Sequence, residues 1–234
     1  MFEVIAFDAD DTLWHNEPIY RGTQGRIIEI LSKYHEAASV ESRMYETEVR
    51  NLEHYGYGFK GFTLSMIETA IDLTEGRISG AEIGQIIELT REMIKAPVDL
   101  LDGVGETIAE LARSNQLMLI TKGDLFEQEA KIARSGLSDY FSRVEIVHTK
   151  TSGTYAAITA KHRINPRHFL MVGNSMRSDI LPVIELGGRA VYIPYETTWA
   201  HEQVPDDELA GREFMELAHI RELPGLIAEL KAAG

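Results

Sequence analysis

The chain of 234 residues contains no cysteine. Disulfide bonds, thiolate metal sites and a cysteine nucleophile are therefore excluded. Long apolar runs are also missing, and none approaches the roughly 18 residues needed to span a bilayer. The chain starts directly with an apolar segment at residues 2–7 and shows no secretory signal, so we expect a cytoplasmic location.

Positive charge is scarce as well. Lysine and arginine number 23 against 37 aspartates and glutamates, which gives a net charge of −14. A nucleic-acid-binding surface needs a basic stripe, and binding to anionic lipid needs clustered basic residues. We therefore expect no nucleic-acid partner and no membrane partner. A small anionic substrate is still compatible, because a local site can be positive on an acidic protein.

Two hydrophobic patterns divide the chain. Between about residues 15 and 97, apolar residues recur at helical spacing. This pattern predicts helices near 18–36, 40–54, 62–74 and 80–95. After Pro97 the pattern changes to short apolar runs that alternate with helical stretches, which is typical of parallel sheets. The predicted strands are Val4–Phe7, 117–120, 144–147, 169–172 and 190–193. Helices are predicted at 124–135, 152–163, 176–187 and about 222–232, and residues 194–215 are predicted to form surface loops.

These patterns predict an α/β fold with a doubly wound parallel sheet and an inserted helical cap domain. Residues 1–14 and 98–234 would form the α/β core domain, and residues 15–97 would form the cap. Ligands of such a core lie outside the carboxyl ends of the strands. The polar residues that follow the predicted strands are therefore expected to form one site. They are Asp8, Asp10, Thr121, Lys122, Gly123, Lys150, Asn174 and Asp179.

The chemistry of this set points to an anion bridged to a hard cation. Carboxylate and amide oxygens are the ligands that Mg²⁺ prefers. Ammonium, hydroxyl and main-chain N–H groups suit the oxygens of a phosphoryl group.

The same residues resemble the motifs of the haloacid-dehalogenase-like (HAD) hydrolase superfamily, in its branch with a helical cap after the first motif. In chain order, the motifs are matched by Asp8, Asp10 and Thr12, then Thr121, then Lys150, and in part by Gly173, Asn174 and Asp179. The resemblance covers essentially the whole chain. One departure is Asn174, which stands where the family usually has aspartate. It leaves open whether Asn174 or Asp179 ligates the metal directly.

The resemblance implies a Rossmann-like core and an Mg²⁺-dependent phosphatase that hydrolyses a small phosphorylated metabolite through an aspartyl-phosphate. Asp8 would be the nucleophile and Asp10 the acid/base. The implied metal residues are Asp8, the carbonyl of Asp10, and Asn174 or Asp179. The implied phosphate-binding residues are Thr121 and Lys150, with the N–H groups of Lys122 and Gly123.

Four further residues are candidates for substrate contact. Lys60 and Phe62 lie in a stretch of the cap rich in glycine and aromatic residues, and Trp14 and His15 follow the first motif. The alternative for the aromatic residues is packing, either between cap helices or at the hinge.

Other functions on the same fold stay open. A phosphomutase or phosphotransferase would use the same residues with a sugar hydroxyl in place of water. A 2-haloacid dehalogenase would need the nucleophile but neither Mg²⁺ nor Asp10, so Asp10 favours the phosphatase. A non-enzymatic binding protein is a third alternative. The sequence predicts neither the individual substrate nor the oligomeric state.

Overall fold

Six parallel strands form one sheet within residues 2–232, the part of the chain that this computed structural model describes. The strands are β1 Val4–Phe7, β2 Gln116–Lys122, β3 Phe141–Val147, β4 Phe169–Gly173, β5 Arg189–Tyr192 and β6 Met215–Glu216. Their order across the sheet is β3-β2-β1-β4-β5-β6, and every neighbouring pair is parallel. The predicted α/β fold class is confirmed.

Ten α-helices accompany the sheet in the described residues. They are α1 Glu17–Leu31, α2 Ala37–Tyr55, α3 Phe59–Leu73, α4 Gly80–Lys95, α5 Val104–Ala112, α6 Leu125–Arg134, α7 Ser152–His162, α8 Leu181–Glu185, α9 Asp206–Leu209 and α10 Leu223–Ala232. None of the helices in this part of the chain is long and apolar enough to cross a membrane.

Strand β1 lies in the middle of the sheet, and its four residues are buried. Successive side chains of a strand point to opposite faces. Ile5 and Phe7 accordingly pack in one hydrophobic cluster, which includes residues of α5 and α10. Val4 and Ala6 pack in a second cluster with residues of α7 and α8. Both faces of the sheet are thus covered, as a doubly wound sheet requires.

The chain divides into two compact units. The α/β unit comprises the chain up to Glu17, Val98–Lys122 and the chain from Gln128 onward. The helical unit comprises Pro18–Pro97 and the short segment Gly123–Glu127. Helix α6 therefore has its first three residues in the helical unit and the remainder in the α/β unit. The predicted domain limits, at residues 14/15 and 97/98, stay a prediction.

The helical unit has a hydrophobic cluster of its own. Helix α2 buries Val40, Met44, Thr47 and Asn51, which recur at the spacing of one helix face. Helix α4 begins with a capping box in which Ser79 and Glu82 bond each other's main-chain N–H groups. Such a cap satisfies N–H groups that the first turn of a helix leaves unpaired.

Strand β3 and the helix after β4 differ from the sequence prediction. β3 begins at Phe141 rather than near residue 144. It lies at the edge of the sheet and its first half contains polar and exposed residues, so only the apolar residues at its end predicted a strand. The helix predicted over 176–187 is a π-helical turn, Met176–Ile180, followed by α8. Pro182 lies at the start of α8 and has no N–H to donate to an unbroken helix.

The segment 194–215 is not simply surface loop, which corrects the prediction. It contains α9, and its last residue, Met215, opens β6 and pairs with Val191 of β5. A strand of two residues leaves no periodic pattern in the sequence. The same segment also contributes a buried glutamate, Glu202, to the α/β unit.

Candidate active site

Asp8 directly follows β1, and its main-chain N–H donates to the carbonyl of Val172 in β4 at 2.9 Å. Its side chain is buried. One carboxylate oxygen lies 3.0 Å from the hydroxyl of Thr12, and the other accepts a hydrogen bond from the ammonium of Lys150. The predicted nucleophile is therefore held between a hydroxyl and a cation at the carboxyl end of the central strand.

The loop after Asp8 is closed by its own main chain. Leu13 N–H donates to the carbonyl of Ala9 at 2.8 Å, and Asp11 N–H donates to the carbonyl of Trp14 at 2.8 Å. Asp11 adopts a φ of +62°, a conformation that aspartate tolerates better than most residues. Its carboxylate accepts the N–H of Glu17 at 3.0 Å, where α1 begins. Burial raises the pKa of Asp11 to about 7.

Lys150 links Asp8 to Asp179, which lies in the π-helical turn after β4. Its buried ammonium also donates to a carboxylate oxygen of Asp179 at 2.7 Å. Burial alone would lower the pKa of Lys150, but the negative charges of Asp179 and Asp8 outweigh burial, and the pKa is raised. The lysine is therefore a cation at neutral pH. A buried ammonium is tolerated only when it is paired in this way.

The turn after β4 brings Asn174 to the same place. The Asn174 N–H donates to the Thr12 hydroxyl at 3.1 Å, and its side-chain oxygen lies 3.1 Å from that hydroxyl. Gly173 permits this turn, because a Cβ at this position would lie 2.3 Å from a carboxylate oxygen of Asp179. That same oxygen, Oδ2, accepts the N–H of Ser175 at 3.0 Å.

The end of β2 holds the next predicted residues. Thr121 is buried in the strand, opposite Ile146 of β3. The side chain of Lys122, which follows it, donates to the hydroxyl of Ser178 at 3.0 Å and pairs with Glu202. Gly123 has a φ of +143° and belongs to the helical unit.

Glu202 was missed by the sequence analysis. It is buried, and its carboxylate accepts hydrogen bonds from Lys122 and from the hydroxyls of Ser175 and Ser178. Burial raises its pKa, but Lys122 and the two serines outweigh burial, and the pKa falls to about 2. Because Glu202 lies in a polar stretch without periodicity, no sequence signal distinguished it from a surface residue.

Asp10 is held by three donors. Its carboxylate accepts hydrogen bonds from Trp14 Nε1 at 2.6 Å and from Gln128 Nε2 at 2.8 Å, and the ammonium of Lys131 lies 3.1 Å from both of its oxygens. Gln128 and Lys131 lie on α6 and are buried. The sequence analysis missed both of them, because polar residues in a predicted helix are normally interpreted as its solvated face.

The four candidates for substrate contact have different surroundings. Trp14 is 1% exposed and Phe62 is 3% exposed, each within a hydrophobic cluster, which favours the packing alternative. His15 is exposed, and its Nδ1 lies 2.7 Å from the hydroxyl of Tyr195. Lys60 is exposed on the helical unit, where it pairs with Asp124 at 2.7 Å.

The donor set can be compared with what a hard cation requires. The Thr12 hydroxyl lies 3.0 Å from Asp8 Oδ2 and 3.1 Å from Asn174 Oδ1, so a carboxylate and an amide oxygen converge there. Oxygen donors of this kind fit Mg²⁺. No group of three acidic or histidine side chains suited to a metal occurs within residues 2–232. Asn174 contributes a neutral amide oxygen, and the Asp179 carboxylate is paired with Lys150.

Comparisons with known proteins agree with this fold. The family profile of haloacid dehalogenase-like hydrolases matches residues 2–187. A solved haloacid dehalogenase-like family hydrolase from Xanthomonas campestris is 40% identical and has a TM-score of 0.88. The match covers 99% of this chain and 93% of the Xanthomonas chain.

Two curated phosphatases are more distant. The 5-amino-6-(5-phospho-D-ribitylamino)uracil phosphatase YigB of Escherichia coli is 24% identical over 88% of this chain and 91% of its own length. The N-acylneuraminate-9-phosphatase of Mus musculus is 25% identical over 97% of this chain and 94% of its own length.

The chain belongs to the haloacid dehalogenase-like hydrolase family. The family predicted from the strand-end motifs is therefore confirmed, and the protein is an enzyme of the hydrolase class. The arrangement offers a carboxylate beside a cation, a second carboxylate two residues later, and buried oxygen donors.

Proposed function

We propose that this protein is a phosphatase that hydrolyses a small phosphomonoester through an aspartyl-phosphate on Asp8. The observation that supports this most directly is the position of the Asp8 carboxylate, buried at the end of β1 between Thr12 and the cationic Lys150. Asp10, two residues later, supplies the second carboxylate that such a reaction needs. The two curated relatives are phosphatases by name, which supports the same class of reaction.

The reaction has two displacements. In the first, a carboxylate oxygen of Asp8 forms a bond to phosphorus, the bond to the leaving oxygen breaks, and the side chain of Asp10, which enters this step as the protonated carboxylic acid, gives that oxygen its proton. In the second, a water oxygen attacks phosphorus, Asp10 takes a proton from the water, and the bond between Asp8 and phosphorus breaks. Dividing hydrolysis into two steps gives two lower barriers.

The phosphoryl oxygens carry the negative charge that must be stabilised during both steps. In this proposal Lys150 supplies a fixed cation beside Asp8, and the Thr121 hydroxyl with the N–H groups of Lys122 and Gly123 supplies further donors. Preorganised donors of this kind are usually the largest contribution to such a rate enhancement.

We place Mg²⁺ on Asp8, on the carbonyl of Asp10 and on the side-chain oxygen of Asn174. Asp179 is the alternative direct ligand, and its Oδ1 and Oδ2 accept hydrogen bonds from Lys150 and from the Ser175 N–H, respectively. When bound, the ion offsets the repulsion between a carboxylate and a phosphate dianion.

Substrate choice is assigned to the helical segment, residues 15–97, as a cap domain. The two curated relatives are named for small phosphorylated substrates, which supports a substrate of that size here. Lys60 and His15 are exposed, and they are the two candidates for substrate contact that this proposal keeps.

The test replaces Asp8 with asparagine, which keeps the size of the side chain but removes the nucleophile. Asp8→Asn should lose nearly all turnover of para-nitrophenyl phosphate in Mg²⁺ while its circular dichroism matches the wild type. Asp139→Asn, on an exposed aspartate of the same unit, is the matched control. More than about a tenth of the wild-type rate in Asp8→Asn, a loss under ~1.4 kcal/mol, would reject the assignment.

A chelator separates this proposal from dehalogenation. Phosphatase activity should disappear in excess chelator and return with Mg²⁺, because the oxygen donor set lacks the nitrogen and sulfur ligands that select other metals. Turnover of a 2-haloacid in chelator, without turnover of any phosphate, would revive the dehalogenase alternative.

A further inference from the structure

We infer that Lys131 and Gln128 of α6 are positioning residues that hold the Asp10 carboxylate for its role as acid and base. The inference rests on the proposed function, and it extends the site to a helix that none of the strand-end motifs includes.

Both oxygens of the Asp10 side chain accept hydrogen bonds. Oδ1 accepts from Trp14 Nε1 at 2.6 Å and lies 3.1 Å from the Lys131 ammonium. Oδ2 accepts from Gln128 Nε2 at 2.8 Å and also lies 3.1 Å from Lys131. A side chain that accepts from three directions has one favoured rotamer, so these donors fix where its oxygens lie.

Lys131 is placed for this contact at an energetic cost. Its side chain is 5% exposed, and burial of an ammonium is unfavourable without a charged partner. Besides Asp10, it donates to the side-chain oxygen of Asn16 at 2.8 Å. Asn16 lies just after the catalytic loop, so Lys131 joins both ends of that loop to α6.

Gln128 supports the same conclusion through its orientation. Its Nε2 donates to Asp10 and, at 3.3 Å, to the carbonyl of Lys122. Its side-chain oxygen is buried without a hydrogen-bond partner in the described residues. An unsatisfied buried acceptor is unfavourable. The orientation that donates to Asp10 is therefore retained in spite of that cost.

Helix α6 buries polar residues beside an apolar one. Its buried positions include Gln128 and Lys131 as well as Ile132, which packs in the hydrophobic core cluster, whereas Leu125 and Phe126 are 58% and 72% exposed. The two buried polar residues contact the Asp10 carboxylate, so this part of the helix contributes to the polar site as well as to the core.

The test uses the leaving group as its readout. Lys131→Met keeps the length of the side chain and removes the ammonium. If Lys131 positions the acid, kcat/KM for phenyl phosphate should fall about 10²-fold, the loss typical of a group misplaced by about 1 Å. Para-nitrophenyl phosphate has a more stable leaving group and needs less protonation, so its loss should be under about tenfold. A merely structural loss would lower both equally.

A double-mutant cycle makes the test specific to Asp10. In an Asp10→Asn background, Lys131→Met should change kcat/KM for phenyl phosphate by less than about twofold, because the group that it positions is already gone. Lys131→Arg should restore part of the wild-type ratio between the two substrates. Lys161→Met, on an exposed lysine paired with Glu145, is the control and should match the wild type.

A second variant keeps the test decisive if Lys131→Met fails to fold. Gln128→Met removes the Nε2 donor at similar size, and the same cycle with Asp10→Asn then applies. Equal losses for both substrates, or losses that add fully to that of Asp10→Asn, would overturn the inference. Absence of an aspartyl-phosphate on the wild-type protein would instead reject the proposed function itself.

Discussion

The two aspartates of the site are both in contact with a buried lysine, yet the chain holds them in different ways. Asp8 contacts Thr12 and Lys150, and its side chain is 9% exposed. Asp10 contacts residues of α6, and its side chain is 21% exposed. The proposed nucleophile is therefore fixed by residues that follow the strands, whereas the proposed acid/base is held by a helix.

Helix α6 begins in the helical unit, where Glu127 accepts the N–H of Phe59 at 2.8 Å and Asp124 pairs with Lys60. Its later turns, in the α/β unit, supply Gln128 and Lys131. The two proposed catalytic carboxylates are therefore held by different elements of the α/β unit, Asp8 by residues that follow the strands and Asp10 by α6.

The largest expected effect compares the two lysines. Lys150→Met leaves two buried carboxylates without their cation and should lower the free energy of unfolding by about 3–5 kcal/mol. Lys131→Met affects one partly exposed carboxylate, so its loss should be smaller, about 1–3 kcal/mol. Urea denaturation at neutral pH measures both. A larger loss for Lys131→Met would reverse the comparison.

Glu202 tests whether the region that follows β4 is held by charge. Its pKa is about 2 in the folded protein against 4.5 for an ordinary glutamate, a difference worth roughly 3 kcal/mol. This stability is present above pH 4.5 and is lost as the pH falls through about 2.

Glu202→Gln should therefore be less stable than the wild type by roughly 3 kcal/mol at pH 7. The difference between the two proteins should shrink progressively below about pH 4.5. Denaturant titrations at several pH values provide the comparison. A difference that stays constant down to pH 3 would show that the charge of Glu202 contributes nothing.

Substitution of Gly173 tests how tightly the turn after β4 is packed against Asp179. A Cβ at Gly173 would lie 2.3 Å from Asp179, so Gly173→Ala should destabilise the protein by about 1–3 kcal/mol. Gly153→Ala is the matched control, because the nearest atom would be at an ordinary contact distance of 3.7 Å. Equal thermal stability of the two variants would mean that the turn after β4 has room to relax.

The smallest expected effect concerns the metal. Asn174→Asp adds a negative charge to the proposed ligand set and should tighten Mg²⁺ binding by about tenfold, or ~1.4 kcal/mol. Isothermal titration with Mg²⁺ measures this directly. An unchanged affinity would place Asn174 outside the ligand set and would favour Asp179.

The strand-end residues could be predicted from the sequence because parallel strands bring their carboxyl ends to one edge. Asp8, Lys150 and Asn174 were named from short apolar runs followed by polar residues, and the structure brings them together around Thr12 and Asp179. The local hydrophobic pattern and the geometry of parallel sheets were therefore sufficient to predict these three residues and the parallel sheet itself.

The rest of the site depends on tertiary contacts that leave no local pattern. Gln128 and Lys131 occupy buried positions of α6. Their spacing can be seen in the sequence, but polar residues at that spacing do not by themselves indicate burial. Their spacing from the apolar Ile132, which places all three on one helix face, is the signal that could have found them. Glu202 had no such signal, because a single buried charge in an irregular segment is defined only by its partners.

The most direct test of this account is to isolate the covalent intermediate. Wild-type protein in Mg²⁺ would be mixed with para-nitrophenyl phosphate, quenched in acid during the first turnover, and digested for mass spectrometry. The account predicts one phosphoryl group on the peptide that contains Asp8, and none in Asp8→Asn. Steady turnover with no phosphorylated peptide, or with the phosphoryl group on another residue, would contradict it.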